Sequence, residues 1–259
     1  MKKRSLFLAS HIGCLWLLVL SIVAQAAEMK VLSAIAVQPV MEDLGPKFER
    51  ATSHKLAMTF DSVGGVVKRV QGGEPADVVV IARQGIDDLV KDGKAAADSV
   101  TVVARSFLGV AVRKGAPKPD ISSPEAFKRM LRNAKSMTYS NPAFDGVSGL
   151  QVIKVFERLG IADAMKPKTV FLPKAGPVGV LVANGEAELA MQHISELLPV
   201  AGIEVVGPVP SDLHDSIVFS AAIIGSTKDA EAAKALVHFL RTPEAAAVIR
   251  TKGMERAAP

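Results

Sequence analysis

His193 closes the apolar run ELAMQH, and an imidazole at that point can donate, accept or carry a proton near pH 7. That suits general acid/base work, with a histidine simply hydrogen-bonded at a strand end as the plainer alternative. Glu196 and Asp145 are further candidates for a base, each set against a role as a surface charge. Arg83 follows DVVVIA, at the end of a strand where α/β sheets hold their ligands. Its guanidinium can grip a carboxylate through two parallel hydrogen bonds; otherwise it is a solvated arginine. Lys174, ahead of Ala175-Gly176-Pro177, offers a second positive charge or, again, a solvated one. Ser148-Gly149 opens a helix and can present a hydroxyl and main-chain amides in addition to plain capping. Ser62, Gly64 and Gly65 shape another helix start, where glycines permit close approach or merely a tight turn. Lys68 and Arg69, inside that helix, read as surface charges.

Other chemistries lack their residues. No GxxxxGK[ST] phosphate loop occurs, and GxSxG fails because Gly146-Val147-Ser148-Gly149 puts the second glycine out of register. His54, His193, His214 and His238 stand far apart in different elements, without the local spacing of a zinc site. Tyr139 is the single tyrosine, and no basic-aromatic interleaving suggests nucleic acid.

The elements that must position these groups begin after an export signal. Residues 1–26 combine Lys2, Lys3 and Arg4, an apolar stretch over 6–23 and an Ala24-Gln25-Ala26 cleavage site, which reads as a signal peptide cut after Ala26. A membrane anchor is the competing reading, opposed by the polar breaks at Ser10, His11 and Ser21; a lipoprotein is discounted because Cys14 lies inside the apolar stretch. Removal of this segment lowers the 31 basic residues to 28 against 26 acidic ones, so the high isoelectric point is no argument for a nucleic-acid partner. It also removes the one cysteine, and with it disulfide, thiol and cysteine-zinc chemistry.

Apolar runs of strand length then alternate with helical patterns. Strands are predicted at 29–33, 56–60 and 77–82, with helices over 39–51, 64–71 and near 86–91, a βαβαβ series that implies a parallel sheet. Two strand-like runs flank Arg105-Ser106, and Ser123-Pro124-Glu125 announces a helix by its cap and its proline. A second series has strands SMTYS, KTVFL and ELAMQ with helices over 148–159 and 177–184; DSIVFSAAII is the last strand, before helices over 230–240 and 242–251. The expected architecture is two-lobed α/β, each lobe a mostly parallel sheet flanked by helices, with a ligand cleft between. Residues 27–105 form the first part of lobe 1, 106–212 lobe 2, and 213–259 return to lobe 1.

Four pieces in order, KVLSAIAVQPVMEDLGPKFER, FDSVGGVVKRVQGGEPADVVVIA, SNPAFDGVSGLQVIKVFERLGI and NGEAELAMQHISE, resemble the molybdate-binding type of periplasmic solute-binding protein. The resemblance covers essentially the whole chain after residue 26, and the order of the pieces carries it. It implies a clamshell of the periplasmic-binding-protein fold that closes on an anion through serine hydroxyls, helix-start amides and a tyrosine. Carried over, the first serine falls on Ala36, the second on Val63, main-chain donors on Ser148 and near Ala175, and the tyrosine on His193. Both serine hydroxyls are missing, and an unpaired oxyanion oxygen in a dry cleft loses roughly 1–3 kcal/mol. The cleft therefore suits a larger organic anion.

Within the resembled family the enzyme branch is that of periplasmic aconitate isomerase. The expectation is thus a periplasmic protein that turns trans-aconitate into cis-aconitate by an allylic proton shift, with no cofactor and no metal. His193 would carry the proton, and Ala36, Ser62, Val63, Arg83, Ser148, Lys174 and Ala175 would bind the substrate. The alternative is a non-catalytic receptor that hands molybdate, tungstate or an organic anion to the membrane component of an ABC importer. Either way the expected ligand is a small anion, the protein a monomer, and nucleic acid no partner.

Overall fold

The computed structural model describes residues 27–144 and 146–256. The expected signal peptide, Cys14 and Asp145 lie outside the described residues. Among the described residues eleven strands form two sheets, the first with one hydrophobic core and the second with two.

The first sheet runs in the order β11-β4-β10-β3-β1-β2. Its strands are β1 (Glu28–Ala34), β2 (Lys55–Asp61), β3 (Val78–Ala82), β4 (Thr101–Ser106), β10 (Ile217–Ile223) and β11 (Glu255–Arg256). The second, β7-β6-β8-β5-β9, is made of β5 (Leu108–Arg113), β6 (Met137–Tyr139), β7 (Thr169–Val170), β8 (Leu189–His193) and β9 (Ile203–Pro208). The predicted βαβ series supplies the parallel part of each sheet, β2-β1-β3 and β7-β6-β8, and antiparallel strands complete it. The reason is connectivity: β4 runs into β5 through Phe107 alone, and the chain returns from β9 to β10, so these strands meet their neighbours head to tail.

Local chemistry sets the helices. Ser62 caps α2 (Val63–Gln71) by accepting from the amide of Gly65, and Ser123 and Thr242 do the same for α4 (Pro124–Asn133) and α10 (Pro243–Thr251), each with proline at the first helical position. The remaining helices are α1 (Gln38–Thr52), α3 (Arg83–Lys91), α5 (Val147–Leu159), α6 (Ala162–Met165), α7 (Gly179–Ala183), α8 (Ile194–Leu197) and α9 (Ala230–Phe239). In β3 all five residues are buried, as a strand covered by helices on both faces must be. In lobe 2 the two-residue period sorts β5: Leu108, Val110 and Val112 join one core with Phe127 and Phe156, while Ala111 joins the other with Leu181 and Leu197. Among the described residues no helix is long and apolar enough to cross a membrane.

Candidate functional site

The register of the strands brings the chemistry together. Ala34 at the end of β1 pairs with Asp61 at the end of β2, so the 3-10 turn Ile35–Val37 and the Ser62 cap of α2 emerge side by side. In the other sheet Tyr139 pairs with Met191, which sets Ser140 and Asn141 beside Gln192 and His193. A cleft lies between these strand ends, and residues of both lobes line it. From lobe 1 come Ala36, Asp61, Ser62, Val63 and Phe219; from lobe 2, Ser140, Ser148, Lys174, Ala175, His193 and Glu196. In this conformation a cavity of about 50 Å³ remains for water-sized spheres. At roughly 10–15 Å³ for each water, that is about four waters.

The turn that the sequence leaves apolar is held from the other lobe. Ser195 in α8 donates its hydroxyl to the carbonyl of Ala36 at 2.7 Å, a buried bond between the lobes. The amide of Ile194 donates to the carbonyl of Phe107, the residue between β4 and β5.

Gln192, which the sequence reading passed over, is the hub of the lobe 2 wall. Its Oε1 accepts the amide of Val178 at 3.0 Å; its Nε2 faces Ser140 Oγ at 3.1 Å, the Gly176 carbonyl at 3.0 Å and Glu196 Oε1 at 2.8 Å. An amide has two hydrogens for these three acceptors, so one contact is shared. Ser148 donates to Ser140 at 2.8 Å, which extends the chain of polar groups to the start of α5. Gly149 permits this approach: a Cβ there would collide with the Ser140 carbonyl.

Two titratable groups of the cleft are pushed in opposite directions. His193 is 1% exposed, neither ring nitrogen has a hydrogen-bond partner among the described residues, and its ring meets Phe219 edge-on at 5.8 Å between centroids. Burial, helped by the neighbouring His214, pushes its pKa down to about 4; the Phe107 carbonyl, out of hydrogen-bonding geometry, opposes this only in part. Glu196, 8% exposed, is pushed up to about 8 by burial, against a weaker opposite pull from the His193 backbone. Near neutral pH the imidazole is therefore unprotonated and the carboxyl protonated. Among the described residues His193 is thus a buried ring without a hydrogen-bond partner and not a histidine hydrogen-bonded at a strand end, and Glu196 is not a surface charge.

Arg83 stands elsewhere. It is the first residue of α3, and its Nε donates to Asp87 one turn on at 2.7 Å, with both side chains about half exposed. It is not among the cleft residues, so the carboxylate clamp expected of it is corrected: the helix begins at the residue itself and turns the guanidinium along the surface. Lys174 does line the cleft, and no carboxylate of the described residues pairs with it. Arg69 pairs near the surface with Glu74 through two hydrogen bonds, at 2.8 and 2.7 Å. Tyr139 is buried between Phe156 and Phe171, away from the cleft. Among the described residues no group of His, Cys, Asp and Glu side chains is arranged to hold a metal ion.

Known proteins resemble this chain over nearly its full length. The description "Bacterial extracellular solute-binding protein" fits the family that matches residues 29–255. An aconitate isomerase from Pseudomonas sp is 36% identical over 233 residues, 88% of this chain and 87% of the relative. The molybdate-binding protein ModA of Azotobacter vinelandii is 30% identical over 241 residues, 90% and 92% of the two chains. The solved Azotobacter vinelandii periplasmic molybdate-binding protein superposes with a TM-score of 0.72 at 23% identity, covering 89% of this chain and 99% of that one.

Proposed function

The chain belongs to the family of bacterial extracellular solute-binding proteins, and from that premise we propose that it acts in the periplasm as an aconitate isomerase, converting trans-aconitate to cis-aconitate. The observation that carries this reading is the pair of proton carriers facing one cavity, an unprotonated His193 and a protonated Glu196. Groups whose environments drive their pKa values apart are matched to the roles of base and acid.

His193 takes a proton from the methylene carbon of the substrate. The electron pair left behind delocalises over three carbons and into the neighbouring carboxylate, and Glu196 returns a proton to the far end, so the double bond moves by one position. Proton transfer from the imidazolium to the carboxylate then restores both groups. Bound carboxylates stabilise the imidazolium and raise its basicity above that of the empty cleft. Lys174, the Ser148–Ser140 pair and the start of α5 offer the charge and donors that hold the substrate and its anionic intermediate. Ala36 and Val63 present no hydroxyl where a tetrahedral oxyanion would need one, and the relative named aconitate isomerase is more similar than the molybdate-binding one.

A second reading, a receptor that passes molybdate or a like oxyanion to an ABC importer, is favoured by one observation. The cavity of about 50 Å³ suits a small tetrahedral ion with the lobes as they stand, whereas a tricarboxylate needs them further apart.

Incubation of the purified protein with trans-aconitate, with the cis isomer followed by chromatography, tests the enzyme. Conversion that disappears in His193→Ala is the expected result. No conversion, with a thermal shift produced by molybdate and not by aconitate, would leave the receptor.

A further inference from the structure

Asp61 is the acidic group that lobe 1 contributes to the cleft among the described residues, and its placement is unusual. It ends β2, and its Oδ1 accepts the amide of Ser62 at 2.7 Å, directly ahead of α2. Its Oδ2 forms an ion pair at 3.6 Å with Nη1 of Arg69, whose Nε and Nη2 bind Glu74, so one guanidinium charge is shared between two carboxylates. The carboxylate folds over the first turn of the helix against Gly65. A Cβ at that position would stand 2.5 Å from both Cγ and Oδ1, so only glycine leaves the carboxylate this room. The side chain remains about one-third exposed. The amino end of α2, which by its free amides and dipole would attract an anion from solution, thus carries an anion of the chain's own.

We propose that Asp61 is a specificity-determining residue: its fixed negative charge repels compact, doubly charged oxyanions from the lobe 1 half of the cleft and leaves the ligand's carboxylates to the donors of lobe 2. The inference rests on the reading of this cleft as the site of an organic polyanion, though not on turnover. A tetrahedral oxyanion spreads its charge over every face and cannot turn away from Asp61. A polycarboxylate separates charged ends from a hydrocarbon stem. It can direct its carboxylates to Lys174 and the start of α5 while its stem meets Ile35, Ala36 and Val63. On the lobe 2 side Glu196 adds no charge near neutral pH, because it holds its proton.

Charge can be separated from shape with two tetrahedral probes, divalent molybdate and monovalent perrhenate. Asp61→Asn keeps an oxygen to accept from Ser62 and removes the charge, and Asp61→Ser removes it with a smaller side chain should asparagine rearrange. Titration calorimetry on the full chain is expected to find at least tenfold tighter molybdate binding in either variant than in the unaltered protein. Because Coulomb energy is linear in the ligand's charge, perrhenate should gain only about threefold, the square root of that factor. Equal gains for the two ions would mean that Asp61 acts by shape, and would overturn the proposal. So would molybdate binding by the unaltered protein as tight as in both variants. Aconitate turnover is assayed separately, so its absence would refute the isomerase and leave the charge test standing.

Discussion

Replacing Glu196 by glutamine tests the state of the cleft most directly. The substitution mimics the protonated carboxyl and keeps an Oε1 to accept from Gln192. In the native protein the carboxyl titrates at about 8, against 4.5 for the unperturbed group. Between these values the folded state holds a proton that the unfolded state has released, so stability falls as pH rises through the interval. The full deficit, reached above about pH 8, is about 5 kcal/mol, since each unit of pKa is worth 1.36 kcal/mol. Over the accessible window from pH 5 to 7 the linkage relation gives about 2.5 kcal/mol. Glu196→Gln has no such dependence. Urea unfolding of both proteins at pH 5, 6, 7 and 8 should therefore find the variant the more stable, by a margin that grows by about 2.5 kcal/mol between pH 5 and 7. His193 titrates in both proteins and largely cancels from the difference. Parallel stability curves would show that the carboxyl is ionised in the native state and would remove the acid from the proposed mechanism. A second measurement follows from the same variant: an amide donates no proton to carbon, so isomerase turnover should fall by at least about a hundredfold.

The other perturbations have simpler readouts. His193 has the opposite linkage: its native pKa of about 4 lies below the unperturbed 6.5, so the stability it provides above pH 6.5 is lost as pH falls towards 4, by up to about 3 kcal/mol. His193→Gln should flatten that acid limb in urea titrations. Gly149→Ala should cost about 2 kcal/mol or more, because its Cβ meets a backbone carbonyl that cannot yield without moving α5, and calorimetry should find ligand binding weakened more than tenfold. Arg83→Ala should leave aconitate affinity unchanged and stability within about 0.5 kcal/mol, as befits an exposed pair one helical turn apart. A tenfold loss of affinity in that variant would place the guanidinium back in the cleft.

Much of the architecture could be read from short-range chemistry. Ser123-Pro124 and Thr242-Pro243 mark helix starts by themselves, and DVVVIA announces a strand buried on both faces. β9 escaped because IEVVGP is only partly buried and at a sheet edge, so no hydrophobic period separates it from a loop. Arg83 was misplaced because a strand end and a helix start fall on adjacent residues, and the sequence does not say which way the side chain turns. The family pattern pointed to Ala36, Val63, Ser148, Ala175 and His193, and the fold brings these into one cleft. Asp61, Ser140, Gln192 and Ser195 could not be found in that way. Each earns its place from a partner far along the chain or from a neighbour's missing side chain. The bond from Ser195 to Ala36 spans 159 residues, and the room for Asp61 depends on Gly65.

That bond from Ser195 to the Ala36 carbonyl bears on how fast the cleft can exchange its contents. It joins the two lobes, so a parting of the lobes that separates α8 from the turn after β1 stretches or breaks it. While it is intact the buried carbonyl is satisfied; once broken, both groups wait for water or for a ligand. Removing the hydroxyl in Ser195→Ala would shorten the residence time of whatever the cleft holds, without altering a group that touches the reacting carbons.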